Sequence, residues 1–156
     1  MVTLLTGLVS GLLATILSLV FTKKINSDLH KRYEEKSFFE TRMKMNELQL
    51  NEPYLRSDTI LKEFLTDNEK DNNIILRKYD LFCIMQFNYF KSLCDYYGYN
   101  KNAEFTEKYN LKANISCYKE WWKTNHPLNT ERYGTKFIEF IDGYLNSDRK
   151  KINSAV

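Results

Sequence analysis

A run of uncharged residues at the N-terminus constrains this chain more than any other feature. From Val2 to Thr22 the sequence holds 21 residues without a charged side chain. A helix rises about 1.5 Å per residue, so this run would be roughly 31 Å long, and the hydrocarbon core of a bilayer is about 30 Å thick. We therefore expect residues 1–22 to cross the lipid bilayer once. A buried helix of a soluble core is the alternative, but such runs usually comprise about 10 to 14 residues.

The basic residues next to this run predict its orientation. No Lys or Arg precedes the run, and four basic residues follow it: Lys23, Lys24, Lys31 and Arg32. Basic residues flanking a membrane helix favour the cytoplasmic side, so we expect the N-terminus outside and the C-terminal part in the cytoplasm. A cleaved secretory signal would instead begin with basic residues. The sequence thus predicts a single-pass protein of the inner (plasma) membrane.

Small side chains form one stripe along the predicted membrane helix. The stripe repeats at spacings of 4, 4, 3 and 4 residues and consists of Thr3, Gly7, Gly11, Ala14 and Ser18. Small residues let helix backbones approach closely in lipid, and Gly7-x-x-x-Gly11 is the best-known form of this surface. Such motifs also occur by chance in membrane helices. We expect the stripe to support a homo-oligomer.

The remaining residues predict an all-α fold, because no segment alternates apolar and polar residues as a strand would. Residues 23–52 contain neither Pro nor Gly and predict a helical stalk with a weak coiled-coil pattern. Residues 53–147 predict a cytoplasmic helical domain, and residues 148–156 a flexible polar tail.

Punctuating residues predict the helices of the domain. Ser57 with Asp58 can cap a short helix through Leu65, and Gly98 can end a long central helix that begins near Ile74. A further helix is expected from Ala103 to about Asn125, with an interruption near residues 110–114, ended by His126-Pro127. The last helix is expected from Asn129 or Thr130 to about Ser147.

Composition and motifs exclude several classes of function. A net charge of +3 is too small and too dispersed for a protein that binds duplex nucleic acid. Two histidines and three cysteines without ligand spacing predict neither a metal site nor a cofactor. No nucleophile elbow, P-loop or dinucleotide-binding motif is present. We therefore do not expect an enzyme, although a membrane-tethered enzyme built from carboxylates and tyrosines stays an alternative.

Aromatic residues next to basic residues form three candidate ligand-binding clusters. One opens the central helix, one follows its end and one lies in the next helix; their members are Arg77, Lys78, Tyr79, Tyr99, Lys101, Lys119, Trp121, Trp122 and Lys123. Rings that stack on bases and cations that meet phosphates are what a nucleotide site needs. The alternative is helix packing with extended Lys side chains. Neighbouring helix residues diverge by about 100°, so we expect one of Trp121 and Trp122 to pack and the other to face an interface or ligand.

An N-terminal membrane pass with a small-residue stripe, a charged helical stalk and a helical domain rich in Tyr, Trp and Lys resembles small membrane-anchored prokaryotic antiviral effectors. It is similar in particular to the membrane effectors of type III CRISPR systems, which respond to cyclic oligoadenylate. The resemblance implies a cytoplasmic domain that binds a cyclic oligonucleotide and perturbs the membrane. A membrane-anchored scaffold that recruits a cytoplasmic protein is the alternative function.

Overall fold

The computed structural model describes the backbone of residues 2–67, 72–101 and 103–153, and the side chains of residues 14–66, 73–101 and 103–146. Every regular element in these ranges is a helix, which confirms the predicted all-α fold. The side chains of Thr3, Gly7 and Gly11 lie outside the described residues, whereas Ala14 and Ser18 are described and exposed. Among the described residues, no helix combines the length and apolar character needed to cross a membrane.

The first helix, α1, is continuous over Val2–Asn51, and Pro53 follows its end. Packing divides the chain into two units, residues 1–42 and residues 43–156. The second unit therefore begins within the predicted stalk rather than at residue 53. The reason is that the last turns of α1 belong to the helical domain: Met45 is 3% exposed, and Gln49 Nε2 donates a hydrogen bond of 2.6 Å to Tyr118 Oη.

The helical domain continues with short and long helices in succession. A 3₁₀ helix at Pro53–Arg56 is followed by α2 (Asp58–Asp67), α3 (Asn72–Tyr97), α4 (Glu104–Lys108), α5 (Leu111–Cys117), α6 (Lys119–Thr124), α7 (His126–Arg132) and α8 (Thr135–Asn153). Ser57 Oγ accepts the N–H of Ile60 at 3.2 Å, so Ser57 caps α2 as predicted. Gly98, at φ 90°, follows α3 in the left-handed conformation expected of a helix-ending glycine.

The helices after α3 differ from the predicted ones. The predicted helix from Ala103 to Asn125 is three short helices, and one of its breaks is at Asn110, which has φ 50°. The predicted end of the helix before His126-Pro127 is confirmed, since α6 ends at Thr124 with Asn125 as its C-cap. The sequence did not predict that a new helix, α7, begins at His126. Pro127 lies in the first turn of α7, where its missing N–H would have had no partner within the helix. The last helix begins at Thr135, and its backbone continues through the predicted tail to Asn153.

The core of the domain is built around α3, which is buried along one side. Helix α6 contributes both tryptophans and α8 contributes Phe137, Phe140 and Tyr144, and α5 packs against α8. The largest fully buried side chains are Trp122, Tyr118, Phe87, Phe90, Phe137 and Leu93. This arrangement decides which of the aromatic residues singled out in the sequence are available to a ligand.

Candidate functional site

Tyr79 lies in the core and not in an open binding site. Its side chain is 3% exposed, and its hydroxyl donates a hydrogen bond of 2.8 Å to Asp58 Oδ1. Burial, together with the neighbouring Cys83 and Asp58, raises the pKa of the Tyr79 hydroxyl. Tyr79 therefore keeps its proton and has no free face on which a base could stack.

The same Asp58 carboxylate holds the beginning of α6. It accepts the backbone N–H of Glu120 at 2.7 Å and that of Trp121 at 3.3 Å, from residues 62 and 63 positions further along the chain. The first N–H groups of a helix have no partner within the helix, and a negative charge there is favoured by the helix dipole. Asp58 thus caps α6, whereas the sequence had suggested that it caps α2.

Both tryptophans are buried, so the prediction that one of them is exposed is wrong. Trp121 is 7% exposed and Trp122 is 0% exposed. The ring of Phe87 lies against both, with centroid distances of 5.4 Å to Trp121 and 4.5 Å to Trp122. The two indoles do diverge, but α6 is covered on both sides. Trp121 meets α3 and Trp122 meets the rings of Tyr133 and Phe137, so divergence does not bring either indole to the surface.

Each indole donates its N–H to a different carboxylate. Trp121 Nε1 lies 2.8 Å from Asp80 Oδ1, and Trp122 Nε1 lies 2.9 Å from Asp142 Oδ1. The second oxygen of Asp142 lies 3.2 Å from His126 Nε2, which makes Asp142 a shared partner of a tryptophan and a histidine. Carboxylates beside both indoles would repel the phosphates of a nucleotide. Buried tryptophans typically have a hydrogen-bond partner for the indole N–H, as both tryptophans do here.

The basic residues of the predicted clusters do not form one site. Lys78 Nζ pairs with Glu52 Oε1 at 2.6 Å, and that hydrogen bond is the main reason why the pKa of Lys78 is raised. Lys101 lies against Gly143, with its ammonium 5.7 Å from the centroid of the Tyr144 ring. Residues 77 and 97 lie near opposite ends of α3, and the 20 residues between them span roughly 30 Å of helix. One small ligand therefore cannot contact both ends.

The other predicted ligand residues are also separated. The hydroxyl of Tyr99 donates to Asp95, and its ring lies edge-on to Phe140 at 6.0 Å. Lys119 is half-buried, and Lys123 is exposed on α6. Arg77 is exposed on α3, on the same side of that helix as Asp80. Among the nine residues chosen from the sequence, Tyr79 and Trp121 share Asp58 as a hydrogen-bond acceptor. Trp121 also donates to Asp80, which lies on the same side of α3 as Arg77.

The three cysteines have raised thiol pKa values. Cys83 and Cys94 are buried, and burial raises the pKa of the Cys83 thiol and raises that of Cys94 to about 12. Burial also raises the pKa of the half-buried Cys117 thiol. Thiols are reactive as thiolates, so the raised pKa values lower the thiolate fraction of all three residues at neutral pH.

A groove on α3 is the site that the sequence did not predict. It has a volume of about 640 Å³, and its described lining consists of Asn73, Leu76, Arg77, Asp80 and Leu81, which we call the α3 groove. Leu76 is 44% exposed and Leu81 is 61% exposed. Spacing alone could not distinguish these leucines from core residues, because the apolar residues of α3 extend around most of the helix. The α3 groove is the candidate functional site.

Comparison with known proteins found no relative of this chain. No protein-family model matches the sequence, no curated protein matches it, and no solved structure matches the fold. Its function is therefore inferred from its own residues.

Proposed function

We propose that this chain is a membrane-anchored adaptor that holds a helical domain at the cytoplasmic face of the plasma membrane and recruits protein to it. The observation that carries the anchor is the surface of α1 beyond residue 13. Five large apolar side chains there are between 54% and 65% exposed: Ile16, Leu17, Leu19, Val20 and Phe21. They point in different directions around the helix and are followed by Lys23 and Lys24. Lipid, unlike water, solvates such a helix on every side.

Recruitment of protein, and not of nucleotide, is supported by the burial of the aromatic rings. Trp121, Trp122 and Tyr79 are at most 7% exposed, so the stacking surface that a nucleotide needs is occupied by the core. The α3 groove instead offers two exposed leucines and one charge of each sign. Apolar contact area with a few placed charges is what protein interfaces use. The domain therefore has more in common with a docking module than with a nucleotide sensor.

Charged substitutions in the anchor are expected to release the protein from membranes. Parent protein should stay in the pellet after carbonate extraction, and protease outside intact spheroplasts should spare the C-terminal domain. Leu13→Arg with Ile16→Arg should shift it to the supernatant, because each Arg near the centre of a membrane helix costs about 2.5 to 3.5 kcal/mol of insertion free energy. Leu128→Arg is the matched control, since Leu128 is 58% exposed and lies in α7. Carbonate release of the parent chain would refute the anchor.

Nucleotide sensing, as in the CRISPR-associated effectors that the sequence resembles, stays a prediction that one titration can separate from the adaptor. A sensor at 100 times its dissociation constant of cyclic oligoadenylate would gain about 2.7 kcal/mol of stability, which a thermal melt detects. Charge reversal at Arg77 or Lys123 should then weaken that gain. For the adaptor we expect no shift with cyclic or linear oligonucleotides. A shift that Arg77→Glu abolishes would favour the sensor over the adaptor.

A further inference from the structure

The residues of the α3 groove are complementary in charge to the same residues read in reverse order. Reading along the helix, Leu76 and Arg77 come first, two residues follow, and Asp80 and Leu81 come last. The order is thus apolar, cationic, anionic, apolar. When two such helices run antiparallel, the first half of one faces the second half of the other.

We propose that the α3 groove binds the α3 groove of a second copy of this chain, with the two helices antiparallel about a two-fold axis that passes between residues 78 and 79. This register places Arg77 opposite the partner's Asp80 and Leu76 opposite the partner's Leu81, and the symmetry repeats both pairs. A surface that contacts its own copy through a two-fold axis must be self-complementary in this way. The second copy carries its own anchor, so the contact assembles the proposed adaptor and does not recruit a separate protein; the inference therefore goes beyond that function.

The charges around the groove favour a second copy over another partner. Among the residues that the structure describes, no carboxylate lies within ion-pair distance of Arg77. Lys78, the next residue, is already paired with Glu52. Asp80 is held in place by the indole N–H of Trp121, at 2.8 Å, so its carboxylate is fixed before any partner arrives. Arg77 and Asp80 are three residues apart on α3. In an antiparallel pair of α3 helices, Arg77 of each copy can therefore face Asp80 of the other.

The apolar part of the groove fits the same register. Leu76 and Leu81 flank the two charges, and Ile84 continues the face one turn beyond Leu81 while Asn73 begins it. In the proposed pair Ile84 would lie opposite the partner's Asn73, at the rim of the contact. Apolar side chains thus surround the ion pairs, which strengthens them by limiting water around them.

Cysteine crosslinking of the full chain in membranes tests the contact directly. Two differently tagged copies are co-expressed, one with Leu76→Cys and the other with Leu81→Cys, and treated with a short bifunctional maleimide. Packed helices have axes about 8–10 Å apart, so we expect a crosslink between the two tags. Leu128→Cys replaces Leu81→Cys as the control, because the two leucines are 58% and 61% exposed. The parent pair measures the background from the half-buried Cys117.

Charge reversal tests the register. Arg77→Glu in both copies should lower the crosslinked fraction roughly tenfold, and Asp80→Lys in both should do the same, because each pair becomes repulsive. Combining a chain with Arg77→Glu and a chain with Asp80→Lys should restore the crosslink, since every Glu then meets a Lys and every Arg meets an Asp. Lys123→Glu, which is exposed on α6, should change nothing. If Asp80→Lys fails to fold, Asp80→Asn keeps an acceptor for Trp121 and should lower the crosslink roughly threefold.

Two outcomes would overturn the contact: a crosslink at Leu128→Cys as strong as at Leu81→Cys, or mixed charge reversals that crosslink no better than either variant alone. The same experiment in a chain with Gly7→Leu and Gly11→Leu separates the contact from association through the membrane stripe. Membrane fractionation of every variant is read in parallel. If the Leu76→Cys and Leu81→Cys pair without charge reversal leaves the pellet but still crosslinks, the anchor alone is contradicted. If that pair stays in the pellet but does not crosslink, the α3 contact alone is contradicted.

Discussion

Replacing Trp122 by alanine is expected to lower the free energy of unfolding by about 3–5 kcal/mol, the range for large aromatic residues removed from a core. Trp122 is fully buried among the rings of Phe87, Tyr133 and Phe137, and its indole N–H is the donor to Asp142. The substitution thus leaves both a cavity and a carboxylate that has lost one partner. Urea unfolding of the full chain in detergent measures the change, with the fluorescence of the remaining tryptophan as the signal.

Trp122→Phe is the matched variant, because it keeps a six-membered ring in place and removes the pyrrole part of the indole together with its N–H. We expect it to lower the free energy of unfolding by about 1–3 kcal/mol, the range for a buried donor or acceptor that has lost its partner. Trp121→Ala should also lower stability, since Trp121 is 7% exposed and stacks on Phe87. Tyr33→Ala, at a residue that is 72% exposed, should stay within about 0.5 kcal/mol of the parent. A Trp122→Ala chain as stable as the parent would contradict the described core.

Replacing Asp58 by alanine is expected to cost about 3–5 kcal/mol, as much as removing one partner of a buried pair. Asp58 is 9% exposed and accepts three hydrogen bonds, from the Tyr79 hydroxyl and from the N–H groups of Glu120 and Trp121. All three donors lose their partner at once. A domain of this size has a total stability of about 5–15 kcal/mol, so the variant should be close to unfolding at 37 °C. Thermal melts followed by circular dichroism check this.

Tyr79→Phe separates the two parts of this arrangement. It removes the hydroxyl donor but leaves Asp58 on the N-terminus of α6, so we expect a loss of about 1 kcal/mol. In a double-mutant cycle, Asp58→Asn and Tyr79→Phe should be coupled by about 0.5–3 kcal/mol, because the residues are in direct contact. Additive effects of the two substitutions would show that the hydrogen bond contributes nothing to stability.

The fold class and the central helix could be predicted from the sequence because their signals are local. Gly98 ends α3 and Ser57 caps α2, and each acts on residues within a turn or two of its own position. The break near Asn110 was likewise visible in the sequence. The end of a helix before His126-Pro127 was likewise predicted. That Pro127 also lies in the first turn of α7 could not be predicted, because a proline that follows one helix and a proline that begins the next look alike until the backbone of the following turn is known.

The candidate site could not be predicted because its chemistry depends on distant partners. The cap on α6 comes from Asp58, 62 residues before Glu120, and no local pattern links the two. The burial of both Trp121 and Trp122 requires neighbours on both sides of α6, which only the tertiary fold supplies. For the same reason Leu76 and Leu81 resembled core residues, although the packing of α3 leaves them outside.

Four consecutive helices of the domain, α4 to α7, have only 5, 7, 6 and 7 residues. Isolated helices shorter than about 12–15 residues are marginal in water, so these four depend on what they pack against. Much of that support is α8, which contacts α5 and supplies Asp142 to Trp122. We therefore expect the nascent segment between α3 and α8 to have no lasting structure during translation until α8 has been synthesised. A truncation upstream of Asp142 would yield an aggregation-prone chain with its rings exposed, and not a smaller folded domain.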